Sequence, residues 1–228
     1  MLLNIETTTD FCSVSLSDSD KVLLNVADSQ GQNHASLLSV FVQQALNYAK
    51  SEGRKIDAIA VSAGPGSYTG LRIGVSTAKG LCFGFNIPLI AIETLQIMNV
   101  TAMQNIDKSD ENILLCPMID ARRMEVFCAL YKSDGTIFNE IKAEIITENS
   151  FADVLKNNII YFIGTGANKC KPLLQHQNCR FIDNIFPLAE NMISLSNEKF
   201  QQKIFEDITY FEPFYLKEFQ ATKAKKMF

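Results

Sequence analysis

The chain runs through the same succession of elements twice. In the first half, Leu2 to Glu6 reads as a strand closed by an acid. Strands follow at the alternating Cys12, Val14 and Leu16 and at Val22 to Val26, with the turn-former SDSDK between these two. A helix from about His34 to Ser51 stops at Gly53, and a β-branched, alanine-rich strand from Ile56 to Ala63 runs into the glycine-rich turn Gly64-Pro65-Gly66 and a second helix. After a strand at Pro88 to Ile92 and a helix near Thr94 to Gln104, the stretch ILLCPMIDARRMEVFCALYKSDGTIFNE repeats strand, acid, strand, polar turn, strand. Asp120 stands there where Glu6 stood. A short helix, Phe151 to Lys156, and a strand, Ile159 to Ile163, ending in GTGAN complete the second round, much as the first half's strand ends in GPGS.

Two βββαβ units in tandem predict an α/β fold of two lobes related by a pseudo-twofold, each a mixed sheet flanked by helices, as in the actin and sugar-kinase architecture. A single doubly wound sheet is the alternative, but there parallel strands are joined by helices and meanders are uncommon. The polar stretch between Ile106 and Asn112 marks the boundary, giving lobes of residues 1–106 and 107–228. At 228 residues and 47% apolar, with 16 phenylalanines offsetting the absence of tryptophan, the chain can fill both cores.

Several function classes are disfavoured. No basic region or cleavage site precedes the first strand, which predicts a cytoplasmic protein. The most apolar stretch, Leu81 to Ile92, is broken by Asn86 and Pro88 and is too short to span a membrane. Six cysteines form no C-x-x-C pair, and with only His34 and His176 beside them a zinc site is not expected; free thiols acting as small core residues are. The net charge of −4 divides unevenly: residues 217–228 hold four lysines and one glutamate, which leaves −7 for the rest. An acidic body binds phosphate backbones poorly by itself, and the tail FQATKAKKMF reads as a solvated terminus before it reads as an RNA contact.

The turn from Gly64 to Gly70 lies between a strand and a helix, where backbone N–H groups hold anions. Its spacing fits neither a P-loop nor the dinucleotide fingerprint, in which terms the third glycine is displaced to Gly70. The following helix carries Gly70, Gly74 and Ala78 at four-residue intervals, a flat face for another backbone, from this chain or from a partner. The first helix bears two apolar stripes, Leu38, Val42, Ala45, Ala49 and Leu37, Phe41, Tyr48; one covers a sheet, and the second is either a wide core face or an interface. His34 has Leu38 four residues on, so no imidazole pair shares its face, and a capping or interface role is expected. Ser67 and Thr69 lack an assignable base and fit turn chemistry. Glu6, Asp10 and Asp120 end or follow strands, where carboxylates hold Mg²⁺ in two-lobed enzymes, yet the run IETTTD has no glycine for a phosphate-gripping turn.

These segments together resemble the TsaB (YeaZ) family: LLNIETTTD, the NHASLL helix start, SAGPGSYTGLRIGVSTAKGL, IETL and MIDARRMEVF. The resemblance spans the chain, loosens after about Val126, and departs at Tyr68, where phenylalanine is usual. It implies an actin-like fold and no catalytic residues of the chain's own. The implied role is to support TsaD, the relative that transfers threonylcarbamoyl to N6 of adenosine 37 in tRNAs reading ANN codons. TsaD holds its metal through an H-x-x-x-H motif that this sequence lacks.

The resemblance further implies an interface with TsaD, or with a second copy, on the first two helices: His34, Leu37, Leu38, Phe41, Gly70, Leu71, Gly74, Val75 and Ala78. TsaE is expected as a further partner and tRNA only through the complex. No cofactor is expected for the chain alone, with ATP or ADP and Mg belonging to the assembly. The rival is an ATPase or kinase gripping nucleotide through Glu6, Gly64, Gly66, Asp120, Gly164 and Gly166. A second rival is the peptidase activity historically attached to the glycoprotease group.

Overall fold

The computed structural model describes residues 1–29, 33–107 and 110–217. The first half forms strands β1 (Leu2–Glu6), β2 (Cys12–Asp18) and β3 (Lys21–Asp28), helix α1 (His34–Ser51), strand β4 (Ala58–Gly64), helix α2 (Tyr68–Phe85), strand β5 (Leu89–Glu93) and helix α3 (Thr94–Ala102). The second half forms β6 (Ile113–Asp120), β7 (Glu125–Lys132), β8 (Ile137–Ile145), α4 (Ala152–Leu155), β9 (Ile159–Ile163), α5 (Thr165–Cys170), β10 (Cys179–Ile182), a 3₁₀ turn (Ala189–Met192) and α6 (Ile193–Gln201). The sheets are ordered β3-β2-β1-β4-β5 and β10-β9-β6-β7-β8. In each, the opening strand lies centrally, antiparallel to its hairpin partner and parallel to the strand that follows the intervening helix. This is the duplicated topology of the actin-like folds, and it excludes the single doubly wound sheet.

Alternation along each strand sorts the core into layers. Leu3, Ile5, Val14, Leu16, Ile59 and Val61 face α1 and α2, meeting Leu38, Val42, Ala45, Ala49, Val75 and Ala78. The opposite face, with Leu2, Ala58, Ala60, Ile90 and Ile92, is covered by Ala189 and Met192 from the second half of the sequence. Helix α3, from the first half, reaches the other way: Leu95, Met98 and Ala102 pack on Leu115, Ile119, Tyr131 and Ile163 of the second sheet.

The serines of β2 show what that exchange does. Ser15 Oγ donates to Ala189 O at 2.8 Å, and Ala189 N donates to Ser13 Oγ at 2.9 Å, so a face that alternation marks as polar is buried through hydrogen bonds to the 3₁₀ turn. Beyond α6, residues 204–217 run back as a strap along the first lobe. Glu206 N donates to Leu89 O at 2.9 Å and Phe214 N to Ala63 O at 2.7 Å, and Lys79 Nζ reaches Phe211 O at 3.0 Å. At the strap's end Lys217 pairs with Glu125 of the second lobe.

Five of the six cysteines are buried and none is bonded to another. No described helix is long and apolar enough to cross a membrane. The tail FQATKAKKMF lies outside the described residues, as do positions 108–109 of the polar stretch before β6.

Candidate functional site

The carboxyl ends of β1 and β6, which carry the two acids matched in the sequence, face a cleft of about 490 Å³. Thr8, Thr9 and Asp10 form one wall, the starts of α1 and α2 a second, and Ile119, Asp120, Arg122 and Thr165 the third. Helix α2 begins there because Ser67 Oγ accepts from Gly70 N at 3.2 Å, capping an otherwise orphaned N–H. His34, at the first turn of α1, places Nε2 at 2.8 Å from Thr9 O and 3.2 Å from Phe11 O. Both partners are carbonyl acceptors, so Nε2 carries the proton and ties α1 to the loop after β1. The imidazole is occupied in holding that loop.

The two acids differ sharply. Glu6 is fully buried, and Oε1 accepts from both Thr8 N and Thr8 Oγ1, while Oε2 has no partner. Burial pushes its carboxyl up from 4.5 to about 7, against the opposing pull of Ser62 and Thr8. Ser62 Oγ lies near enough to exert that pull without completing a hydrogen bond. Asp120 is half-exposed and ionically satisfied: Oδ1 accepts from Arg122 N at 2.7 Å and from Lys169 Nζ, which also donates to Glu125 O at 2.7 Å. Among the described residues no cluster of three or more His, Cys, Asp or Glu side chains is arranged to hold a metal ion.

Of the six residues proposed to grip nucleotide, only Asp120 lines the cleft. Glu6 is sealed beneath Thr8, and the four glycines serve the chain's own packing. A Cβ on Gly64 would stand 2.6 Å from Phe214 O, on Gly66 2.5 Å from Thr8 O, on Gly164 2.6 Å from Met118 O and on Gly166 2.9 Å from Met118 Cβ. The set does not form a phosphate cradle, because these glycines admit neighbouring segments of the same chain rather than a ligand.

The interface expectation also needs correcting. Leu38, Gly70, Leu71, Gly74, Val75 and Ala78 are all buried inside the lobe. The backbone that the glycine face receives is that of the loop after β1: a Cβ on Gly70 would stand 1.9 Å from Thr7 O, and on Gly74 2.4 Å from Thr7 Oγ1. His34, Leu37 and Phe41 remain partly exposed. The residues that α1 and α2 turn outward are others, Val40 at 52% exposure and Phe83 at 80%, with Gly80 and Gly84, where an added Cβ would meet nothing within 4 Å.

Lys169 and Arg122 were not singled out from sequence. The only signals were the basic residues that follow the acid in IDARR and the lysine in GTGANK. The turn at Arg122 and Arg123 is unusual, since both have left-handed φ, 72° and 51°. Glycine and asparagine are the ordinary occupants of such positions, and other residues lose about 1–2 kcal/mol at each.

A family model described as "TsaD: tRNA N6-adenosine threonylcarbamoyltransferase" matches residues 21–225. The transferase of Thermosipho melanesiensis is 36% identical over 107 residues, only 40% of this chain and 33% of that protein. The tRNA threonylcarbamoyladenosine biosynthesis protein TsaB of Escherichia coli K12 is 29% identical over 231 residues, 97% of this chain and 96% of that protein. The chain belongs to the TsaD family, in its TsaB (YeaZ) branch. TsaB of Haemophilus influenzae is similar at 28% identity, with 95% and 93% of the two chains covered. The solved structure of YeaZ from Pseudomonas aeruginosa superposes with a TM-score of 0.76 at 25% identity, covering 94% of this chain and 99% of that one. The fold therefore has a precedent over nearly the whole of both chains.

Proposed function

We propose that this chain is a non-catalytic partner subunit in tRNA threonylcarbamoyladenosine biosynthesis, working in the cytoplasm and binding the TsaD-type transferase through the outer surface of α1 and α2. The observation that carries the reading is the chemistry of that surface. From His34 to Ala49, α1 has no Asp, Glu, Lys or Arg, although Val40 is half-exposed and Leu37 and Phe41 partly so. A solvated helix face ordinarily carries charge, so one without it, flanked on α2 by exposed Phe83 and the open Gly80 and Gly84, suits a partner helix. The same surface would serve a second copy when TsaD is absent.

The cleft agrees with a supporting rather than a catalytic role. One acid is sealed and the other is held by Lys169, so neither is free to act as a base on a ligand. We assign nucleotide, magnesium, TsaE and tRNA to the assembled complex. The ATPase and peptidase rivals predict turnover of ATP, or cleavage of casein or TsaD, by the purified chain alone.

Reconstitution tests the proposal. With TsaD, TsaE and the enzyme that forms the carbamoyl-adenylate, modification of tRNA is expected to fall to background when this chain is omitted; equal modification without it would end the idea. Val40→Arg is expected to weaken co-purification with TsaD about tenfold or more, as charge insertion into an apolar interface core does, with the thermal midpoint unchanged.

A further inference from the structure

The turn joining β6 and β7 carries two adjacent guanidinium groups that the fold does not use. Arg122 and Arg123 are exposed, and among the described residues neither side chain forms an ion pair. The nearby acids are already taken: Asp120 by Lys169 and Glu125 by Lys217. The corner is thus net positive on a chain whose residues 1–216 carry −7. The surroundings extend it. Two residues before Lys217, the Tyr215 ring lies 4.9 Å from that of Tyr68, and Arg72 sits over Tyr68 at 5.5 Å. Asp10 stands on the facing wall of the cleft but is not paired with either arginine.

We infer that this corner is a phosphate-backbone contact for RNA, with Arg122 and Arg123 as its principal groups. The backbone supports that assignment. Both residues adopt left-handed φ, a conformation that asparagine or glycine would hold without strain, so a turn selected for stability alone would not place arginines there. Paired, unneutralised guanidiniums present the forked donors that match phosphate oxygens. An acidic protein segment is the other polyanion class. RNA is favoured because the proposed complex has an RNA substrate, and on that reading the inference rests.

The fold supplies an unusual test, since Arg122→Asn with Arg123→Gly removes both charges while suiting the turn. The complex containing this double variant is expected to bind unmodified tRNA about tenfold more weakly. The salt dependence of its log affinity should become shallower by about 1.5, the loss of two phosphate contacts. Its thermal midpoint should rise, and co-purification with TsaD should be unchanged. Arg122→Lys with Arg123→Lys should keep the salt slope, and Arg54→Gln, an exposed arginine elsewhere, should leave tRNA binding unaltered. Unchanged tRNA affinity and salt slope in the double variant would overturn the inference while leaving the partner-subunit reading intact. Loss of TsaD binding by the double variant would overturn it too, reassigning the corner to a protein contact. Failure of the wild-type chain to bind TsaD at all would instead bring down the partner-subunit reading.

Discussion

Glu6→Gln is expected to stabilise the isolated chain at pH 8 by about 3 kcal/mol, roughly 5–10 °C in thermal midpoint for a chain of this size, and to do so hardly at all below pH 4.5. The sign follows from where the carboxyl sits. Folding buries it completely and raises its titration from 4.5 to about 7. Between those values the native state keeps a proton that the unfolded chain has released. Stability of the wild type therefore falls as pH rises through that window and, as far as this group is concerned, is level above it. The glutamine side chain of the variant does not titrate. Its Oε1 can keep both bonds from Thr8, and its amide replaces Oε2, the atom left without a partner, beside Ser62 Oγ, another atom with none. The difference between wild-type and variant stabilities at pH 5, 6.5 and 8 isolates the group from every other titration. Parallel pH profiles would show that Glu6 is ionised and solvated in the native protein.

Glu6 also marks where reading the sequence succeeded and where it stopped. The duplicated order of strand, acid and hairpin was legible because turns and β-branched runs are local signals, and it led to the two-lobed fold. What the acids do was not legible. Glu6 and Asp120 occupy equivalent strand ends, but Thr8 folds back over one while Lys169, far along the chain, reaches the other. That difference depends on tertiary neighbours. The serines of β2 depend on tertiary neighbours in the same way: Ser13, Ser15 and Ser17 alternate with the apolar residues, and the 3₁₀ turn at Ala189 covers their face and bonds to two of them. Neither that turn, nor α6, nor the four-residue β10 carries a periodicity long enough to announce itself, so the exchange of covering segments between the lobes was invisible.

The glycines of α2 give the second large effect, and they separate two roles that spacing alone could not. Gly70→Ala is expected to destabilise the chain by about 3 kcal/mol or more, because the new methyl would stand 1.9 Å from Thr7 O, a backbone atom that moves only if helix and sheet part. Gly74→Ala should cost less. Its obstacle is Thr7 Oγ1 at 2.4 Å, a side-chain end, though one held in place by donating to Gly70 O at 2.8 Å. Truncating the hydroxyl removes the obstacle, so Thr7→Ala with Gly74→Ala should be less destabilising than the two single changes added together, by about 1 kcal/mol. Gly80→Ala should do the opposite of Gly70→Ala: with nothing within 4 Å of the new atom, it should stabilise the helix by about 1 kcal/mol. Urea denaturation of the four single variants, Thr7→Ala among them, and of the double variant measures all of this. If Gly70→Ala and Gly80→Ala behaved alike, α2 would not be seated on Thr7. The same logic decides how to probe the partner surface. A bulky residue at Gly74 would abolish TsaD binding by unfolding the lobe, whereas Gly80→Leu adds its bulk only on the outside. Loss of TsaD binding by Gly80→Leu, with the denaturation midpoint preserved, is the outcome that locates the partner on the outer face of this helix.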